Sequence, residues 1–239
     1  MTSISVIVSA YNEEQNINAT INNVEAALYE AGVLDTEILF FDDGSNDKTF
    51  SSVYGAWHQG HAPVWLLRNP RNMGFGYNFF EGVRLAAKDY VCIFPGDNET
   101  SQQTMIGLFK NAGKADIITT YTINMEDRPW GRRLLSRIFT LGMNTLFGCE
   151  LQYYNGPFLV RREIMKEVTL KTSGFTFGLL TLVQLIRKGY SFKEIPMVLQ
   201  KKPEYKSSAL KFKNVCKVLW SVFLLLNLYL PSQPIKRVI

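Results

Sequence analysis

The sequence predicts an α/β fold in which a parallel sheet is flanked by helices, and three observations lead there. Short runs of β-branched and aromatic residues alternate, through the first hundred positions, with longer stretches of helical spacing. The short runs are apolar throughout, as strands covered on both faces are. Each is followed by a polar or acidic cluster, on the side of the sheet where doubly wound folds bind ligands.

Four strands are expected in this half: Ile4 to Val8, Glu37 to Phe41, Val64 to Leu67 and Val91 to Phe94. Between the first two, Ile17, Ile21, Val24, Leu28 and Ala31 recur every three or four residues, and Asn12 and Gln15 stand where an N-cap and its capping box would. Tyr77, Phe80, Val83 and Ala87 give a second helix after the third strand. Ala115 to Tyr121 reads as a fifth strand, and Trp130 to Phe147 as a helix with Leu134, Ile138, Leu141 and Thr145 on one side. A helix over Phe177 to Lys188 and a strand over Phe192 to Val198 complete the pattern.

The last segment differs in character. Lys206, Lys211, Lys213 and Lys217 precede an uncharged, helix-like run from Val218 to Leu230, stopped by Pro231. That run is shorter than the ~20 apolar residues needed to span a bilayer. Two readings stay open: an interfacial helix drawn to anionic lipid by its lysines, or a helix packed on the core.

With 239 residues, 46% hydrophobic and 20% charged, the chain can bury a full core without disulfide or metal, and a disordered or low-complexity class is excluded. The 26 basic and 21 acidic residues leave a net charge of +5, which suits phosphate-bearing partners or an anionic surface. Cys92, Cys149 and Cys216 form no CxxC or Cys/His ligand spacing, which suggests a reducing compartment. Met1-Thr2-Ser3-Ile4 does not open a secretory leader, so a cytosolic location is expected.

Three clusters carry the chemistry. Ser9-Ala10-Tyr11-Asn12-Glu13-Glu14 follows strand one, Asp42-Asp43-Gly44-Ser45-Asn46-Asp47 follows strand two, and Pro95-Gly96-Asp97-Asn98-Glu99 follows strand four. Taken singly, the second and third each make a good turn, with Asp47 as a helix cap. Together they would gather negative charge in one crevice, and like charges at short range need a cation to coexist. Asp97 and Glu99 offer hard oxygen ligands that suit Mg2+ or Mn2+, with substrate phosphates completing the shell. No GxxxxGK[ST] occurs, so phosphate must be held by a cation and basic side chains. The glycines of Asn72-Met73-Gly74-Phe75-Gly76 either let the chain pass close to a ligand or cap the following helix. His58 and His61, beside Gly60 and Pro63, read as a surface loop rather than metal ligands.

Val6 to Glu14, Phe41 to Thr49 and Asn72 to Gly76 resemble, in order and interval, the nucleotide-sugar half of the family 2 inverting glycosyltransferases with the GT-A fold. Arg132-Arg133-Leu134-Leu135-Ser136, Asn155-Gly156, Glu194-Ile195-Pro196 and the basic-apolar end are most similar to polyprenyl-phosphate glycosyltransferases of the dolichyl-phosphate-mannose-synthase type. The resemblance implies a mixed, mostly parallel sheet flanked by helices, with a C-terminal amphipathic or apolar helix. It implies a glycosyltransferase domain over 1–204, divided into a nucleotide-binding half (1–100) and an acceptor half (101–204), and a membrane-associating segment over 205–239. The donor would be a nucleoside-diphosphate sugar and the acceptor a lipid phosphate, at the cytoplasmic face of a membrane. No nucleic acid is expected as a partner, and the oligomeric state stays open.

Carried onto this chain, the resemblance implies that Ala10, Tyr11, Glu13 and Asp43 line the nucleotide, with Asp43 on the base. It implies that Asp97 and Glu99 hold the metal, that Arg132 or Arg133 with Ser136 hold the acceptor phosphate, and that Lys201 or Lys202 closes over the donor diphosphate. The chain departs from the family where Pro95 replaces the first Asp of an Asp-x-Asp. It departs again at Gln152, which stands where an Asp is common, and at Thr119-Thr120-Tyr121, which lacks an arginine that Arg128 would replace.

The second departure bears on the acceptor. A sugar hydroxyl needs a base to take its proton, whereas a phosphate monoester already carries ~−1.5 to −2 charges at neutral pH. Cationic anchoring, which Arg132, Arg133 and Arg137 offer bidentately, is what a phosphate acceptor requires. The competing readings are transfer to a hydroxyl with Glu99, Glu150 or Glu163 as base, nucleotidyl transfer, and a non-catalytic nucleotide-sugar binder.

Overall fold

The computed structural model describes residues 2–56, 62–127, 129–198 and 212–229. Seven strands form one sheet: β1 (Ile4–Ala10), β2 (Thr36–Asp42), β3 (Val64–Arg68), β4 (Tyr90–Pro95), β5 (Ile117–Thr122), β6 (Phe158–Arg161) and β7 (Phe192–Met197). Their spatial order is β3-β2-β1-β4-β6-β5-β7. All pairs are parallel except those of β6, which runs antiparallel to both β4 and β5. The sheet is therefore mixed and mostly parallel, as expected.

Seven α-helices accompany it among the described residues: α1 (Ile17–Glu30), α2 (Thr49–Ala56), α3 (Phe75–Leu85), α4 (Gln102–Lys110), α5 (Trp130–Phe147), α6 (Phe177–Arg187) and α7 (Phe212–Tyr229). The pleat sends alternate strand residues to opposite faces, and both faces are covered. Ile7, Leu39, Phe41, Val91 and Ile93 pack with α3 and α6, while Val6, Val8, Phe40, Cys92 and Phe94 pack with α1 and α4. This double burial is why the strands read as unbroken apolar runs.

Three features differ from the sequence reading. The α1 N-cap is Asn16, whose side chain makes no capping bond, rather than Asn12 with Gln15. Asn12 sits at φ 58° and is engaged elsewhere: its N–H donates to Ser45 Oγ and its Oδ1 accepts the Asn46 N–H. Tertiary bonds to the β2 loop have displaced the local cap. Helix α4 was not anticipated; Ser101 caps it, accepting the Thr104 N–H, and Met105, Ile106, Leu108 and Phe109 are buried. Strand β6 was missed because four residues show no periodicity, yet its insertion separates β4 from β5.

Helix α7 lies against α6. Leu225 is fully buried, Ser221 Oγ donates to Thr176 Oγ1 at 2.9 Å, and the Arg187 guanidinium lies over the Tyr229 ring. Its other side exposes Leu219, Trp220 and Phe223. The core-packing reading thus holds for one face of this helix. No helix among the described residues is long and apolar enough to cross a membrane.

Candidate active site

The strand order reverses at β1, which lies between β2 and β4, and in such sheets the crevice beyond the carboxyl ends at this point receives ligands. The register brings those ends level: Ala10 pairs with Asp42, and Ser9 with Pro95. The loops that follow fold over one another. Glu13 N–H donates to Thr49 Oγ1, Glu14 N–H to Asp47 Oδ2, and Thr49 N–H to Asp47 Oδ1. Asp47 thus does a cap's work at the start of α2; burial is the largest single influence on its carboxyl and pushes it up, but the hydrogen bonds from the Thr49 hydroxyl and from the Thr49 and Glu14 N–H groups together hold it below the usual range.

A cavity of about 190 Å³ opens at this edge, lined by Ser9, Tyr11, Glu13, Asp43, Asn72, Phe75, Pro95, Gly96 and Asp97. Three carboxylates from three loops converge there, with no basic side chain among the described lining residues. Asp43 is 3% exposed, and its carboxylate organises the next loop. Oδ1 accepts from Asn69 Nδ2 at 2.7 Å and from the Met73 N–H at 2.8 Å, while Oδ2 accepts the Gly74 N–H at 2.9 Å. Asp42, by contrast, is turned away from the cavity lining and paired, with Arg68 Nε 2.9 Å from its Oδ2.

Asp97 is shaped by its own turn. Its Oδ1 accepts the Glu99 N–H at 3.0 Å, and Asn98, at φ 57°, is tied to α1 through Asn23. Gly96 has no room for a side chain, since a Cβ there would lie 2.6 Å from the Ala10 Cβ. Gly74 is the N-cap residue of α3, at φ 99°, as the capping reading of the glycine run has it, and Asn72 and Phe75 on either side of it line the cavity.

Of the residues singled out in the sequence, Tyr11, Glu13, Asp43 and Asp97 share this cavity. Ala10 lies behind it, 3% exposed, and accepts the Asp43 N–H through its carbonyl. Glu99 is one turn residue removed from the lining. Ser136 lines a second cavity of about 300 Å³, together with Arg137, Tyr121, Thr122, Gln152 and Tyr153 among others. Arg132 and Arg133 are half-buried in the first turns of α5 and line neither cavity. Lys201, Lys202, Arg128, His58 and His61 lie outside the described residues.

The second cavity is braced from below. Asn144 on α5 donates to the Leu151 carbonyl and accepts from the Tyr154 hydroxyl, and Glu194 accepts the Gln152 N–H at 2.8 Å. Burial pushes the Glu194 carboxyl above its ordinary value, against the opposing hydrogen bonds from Gln152. Sequence reasoning missed Asn69 and Asn78 as supports of the first site, because their connection to Asp43 and Ser9 is made only through space.

No group of three or more His, Cys, Asp or Glu side chains among the described residues is arranged to enclose a metal. A cation at Asp97 would therefore have few protein ligands, which suits an ion whose shell is completed by phosphate oxygens and water.

The model of the family described as Glycosyl transferase family 2 matches residues 5–169. A dolichyl-phosphate beta-glucosyltransferase of Trichomonas vaginalis is 29% identical over 154 residues, 60% of this chain and 47% of that protein. The undecaprenyl-phosphate 4-deoxy-4-formamido-L-arabinose transferase of Pseudomonas aeruginosa is 27% identical, over 70% of this chain and 49% of its own. A dolichol-phosphate mannosyltransferase of Pyrococcus furiosus is 24% identical over 94% of this chain and 64% of its own. The chain thus spans about half the length of the first two relatives. Among solved structures, glucosyl-3-phosphoglycerate synthase of Mycobacterium tuberculosis with UDP superposes with a TM-score of 0.68 at 16% identity, covering 93% of this chain and 79% of that one. Its complex with Mn2+, UDP and glucosyl-3-phosphoglycerate gives 0.66 at 18% identity, covering 92% and 80%. These structural likenesses establish the GT-A fold.

Proposed function

Since the chain belongs to glycosyl transferase family 2, we propose that it is an inverting glycosyltransferase moving a sugar from a nucleoside-diphosphate sugar to a polyprenyl phosphate. The observation that carries this reading is the cavity at the sheet's switch point, where Glu13, Asp43 and Asp97 converge. Asp97, with Glu99 beside it, offers few but hard oxygen ligands, which suits a divalent ion such as Mg2+ or Mn2+ whose shell is completed by phosphate oxygens. The neighbouring fold has been crystallised with UDP and Mn2+, which agrees with that donor set. When bound, the ion would neutralise charge on the departing diphosphate.

The chain's own residues do the rest. Tyr11, Glu13 and Asp43 receive the nucleotide, with Asp43 on the base, and Asp97 with Glu99 holds the ion. Ser136 and Arg137 line the second cavity, and with Arg132 and Arg133 one turn before them on α5 they supply cationic and hydroxyl anchors for a phosphate. Lys201 or Lys202 closes over the donor diphosphate. A phosphate oxygen of the lipid attacks the anomeric carbon as the bond to the diphosphate breaks on the opposite side, inverting the centre. No proton needs removing from this nucleophile, so catalysis reduces to positioning and charge neutralisation. The names of the Trichomonas and Pseudomonas relatives support a lipid-phosphate acceptor. A peripheral position at the cytoplasmic face of the membrane accords with the exposed apolar sides of α5 and α7.

Incubation with labelled nucleotide sugars and short-chain polyprenyl phosphates, set beside neutral glycans, tests the proposal. Label passing to the lipid phosphate with release of nucleoside diphosphate is the expected result; transfer to the glycans alone would replace the acceptor, and release of inorganic diphosphate would replace the chemistry.

A further inference from the structure

Resting on the nucleotide-binding reading above, we infer that helix α7 belongs to the scaffold of the donor site, with Ser221 as a positioning residue that acts on the cavity wall through Thr176 and the segment 172–174. Ser221 lines neither cavity. The bond that carries the inference joins its Oγ to Thr176 Oγ1 at 2.9 Å, between residues that are 3% and 5% exposed. Thr176 is the N-cap residue of α6, where a threonine hydroxyl ordinarily accepts an N–H of the helix's first turn. Here it makes no such bond and turns to α7 instead. Leu225, fully buried one turn further along α7, seats the helix so that the two hydroxyls meet.

Just ahead of Thr176 the chain presses on the donor site. The Ser173 carbonyl accepts the Gly76 N–H at 2.9 Å, one of the first-turn donors of α3 that has no acceptor within its own helix. A Cβ on Gly76 would lie 2.2 Å from the Thr172 carbonyl oxygen and 2.8 Å from that of Gly174, and one on Gly74 would lie 2.5 Å from that of Ser173. The two segments therefore meet backbone to backbone, with no room for a side chain at either glycine, and a shift of one must be followed by the other. Phe75, between those glycines, lines the cavity and sets its ring edge-on to Phe177, with the centroids 5.5 Å apart. A displacement of Thr176 thus reaches Phe75 in two ways: through Ser173 to Gly76, and through Phe177, its own neighbour in the chain.

On the opposite side the same stretch is held by Asp43, which accepts the Met73 and Gly74 N–H groups. The wall over 72–76 is clamped between Asp43 and the segment 172–174, and α7 steadies the second of these jaws. Ser221 retains a further partner in the Lys217 carbonyl of its own helix, so the bond to Thr176 can be broken from the α6 side without leaving the serine unpaired.

The test is calorimetric titration of UDP and of GDP, with Mn2+ present, into the wild-type chain, Ser221→Ala, Thr176→Val, their double variant and Thr176→Ser. Each is first melted without ligand to confirm that it folds, and is titrated well below its melting temperature. Nearly every molecule is then folded, so a loss of stability alone leaves affinity unchanged. Ser221→Ala and Thr176→Val are each expected to bind the preferred nucleotide about three- to tenfold more weakly, and the double variant no more weakly than either, because both changes remove one bond. Thr176→Ser keeps the hydroxyl and is expected to bind as the wild type does. Wild-type affinity in Ser221→Ala or Thr176→Val overturns the inference while leaving the nucleotide site intact, as does a double variant that shows the product of the two losses, or a Thr176→Ser as weak as Thr176→Val. Should Ser221→Ala fail to fold, Thr176→Val set against Thr176→Ser decides: a difference of that size supports the inference, and equal affinities overturn it. Failure of the wild type to bind either nucleotide overturns the functional reading and this inference with it.

Discussion

Asp43 carries two duties on one carboxylate. It is nearly enclosed, yet it faces the cavity, and three N–H donors from the segment 69–74 converge on it. Replacing it by Ala would leave two backbone N–H groups and an amide without their acceptor, at about 1–3 kcal/mol for each buried group left unmade. For a chain of this size each kcal/mol lowers Tm by roughly 2–4 °C, so Asp43→Ala is expected to melt lower and to lose nucleotide binding together, as calorimetry would record. Gly96→Ala attacks the same site from behind, forcing a methyl against Ala10 at an overpacking cost of about 1–3 kcal/mol. A thermal melt unchanged by that substitution would mean that the β4 loop does not press on β1. Tyr11, Glu13, Asp43 and Asp97 were legible in the sequence because each stands just after a strand. Asn78 was not, since its bond to Ser9, 69 positions away, leaves no local pattern.

Among the elements, helices announced themselves where an apolar stripe was long and strands where both faces were covered. Strand β6, with four residues, and α4, whose apolar residues lie in little more than two turns, fell below that threshold. The α1 cap was misplaced because its polar residues are consumed by the β2 loop. Strand β7 carries the element whose titration is open to measurement. Glu194 is raised by burial, so the folded chain holds its proton more tightly than the unfolded chain does. Stability therefore falls as pH rises from the ordinary carboxyl value toward the folded one. Glu194→Gln is expected to abolish that part of the slope, which denaturant titrations at several pH values would show as curves that diverge on the alkaline side. Helices α5 and α7 share another property: Leu134, Ile138 and Leu141 on the first, and Leu219, Trp220 and Phe223 on the second, are all exposed. If those sides meet lipid, Trp220→Glu with Phe223→Glu will weaken sedimentation with anionic vesicles severalfold, and unchanged sedimentation would remove α7 from the membrane contact.

At the scale of the molecule, the sheet order puts β1 between β2 and β4, and this alone brings three loops far apart in sequence to one crevice. The alternation of strands and helices in the first hundred residues sufficed to foresee it. The second half was less legible because β6 runs against its neighbours and the helices there pack on one another as well as on the sheet. The crevice concentrates negative charge, and the function proposed for it requires that a divalent ion join those carboxylates to a diphosphate. Nucleoside diphosphate affinity, measured with and without Mn2+ for the wild type and Asp97→Ala, bears on that requirement. At 100 Kd of ligand the wild type should gain about 2.7 kcal/mol of stability, with most of the gain dependent on Mn2+ and absent from Asp97→Ala. An affinity indifferent to both the metal and the substitution would mean that the carboxylates at the switch point hold no cation.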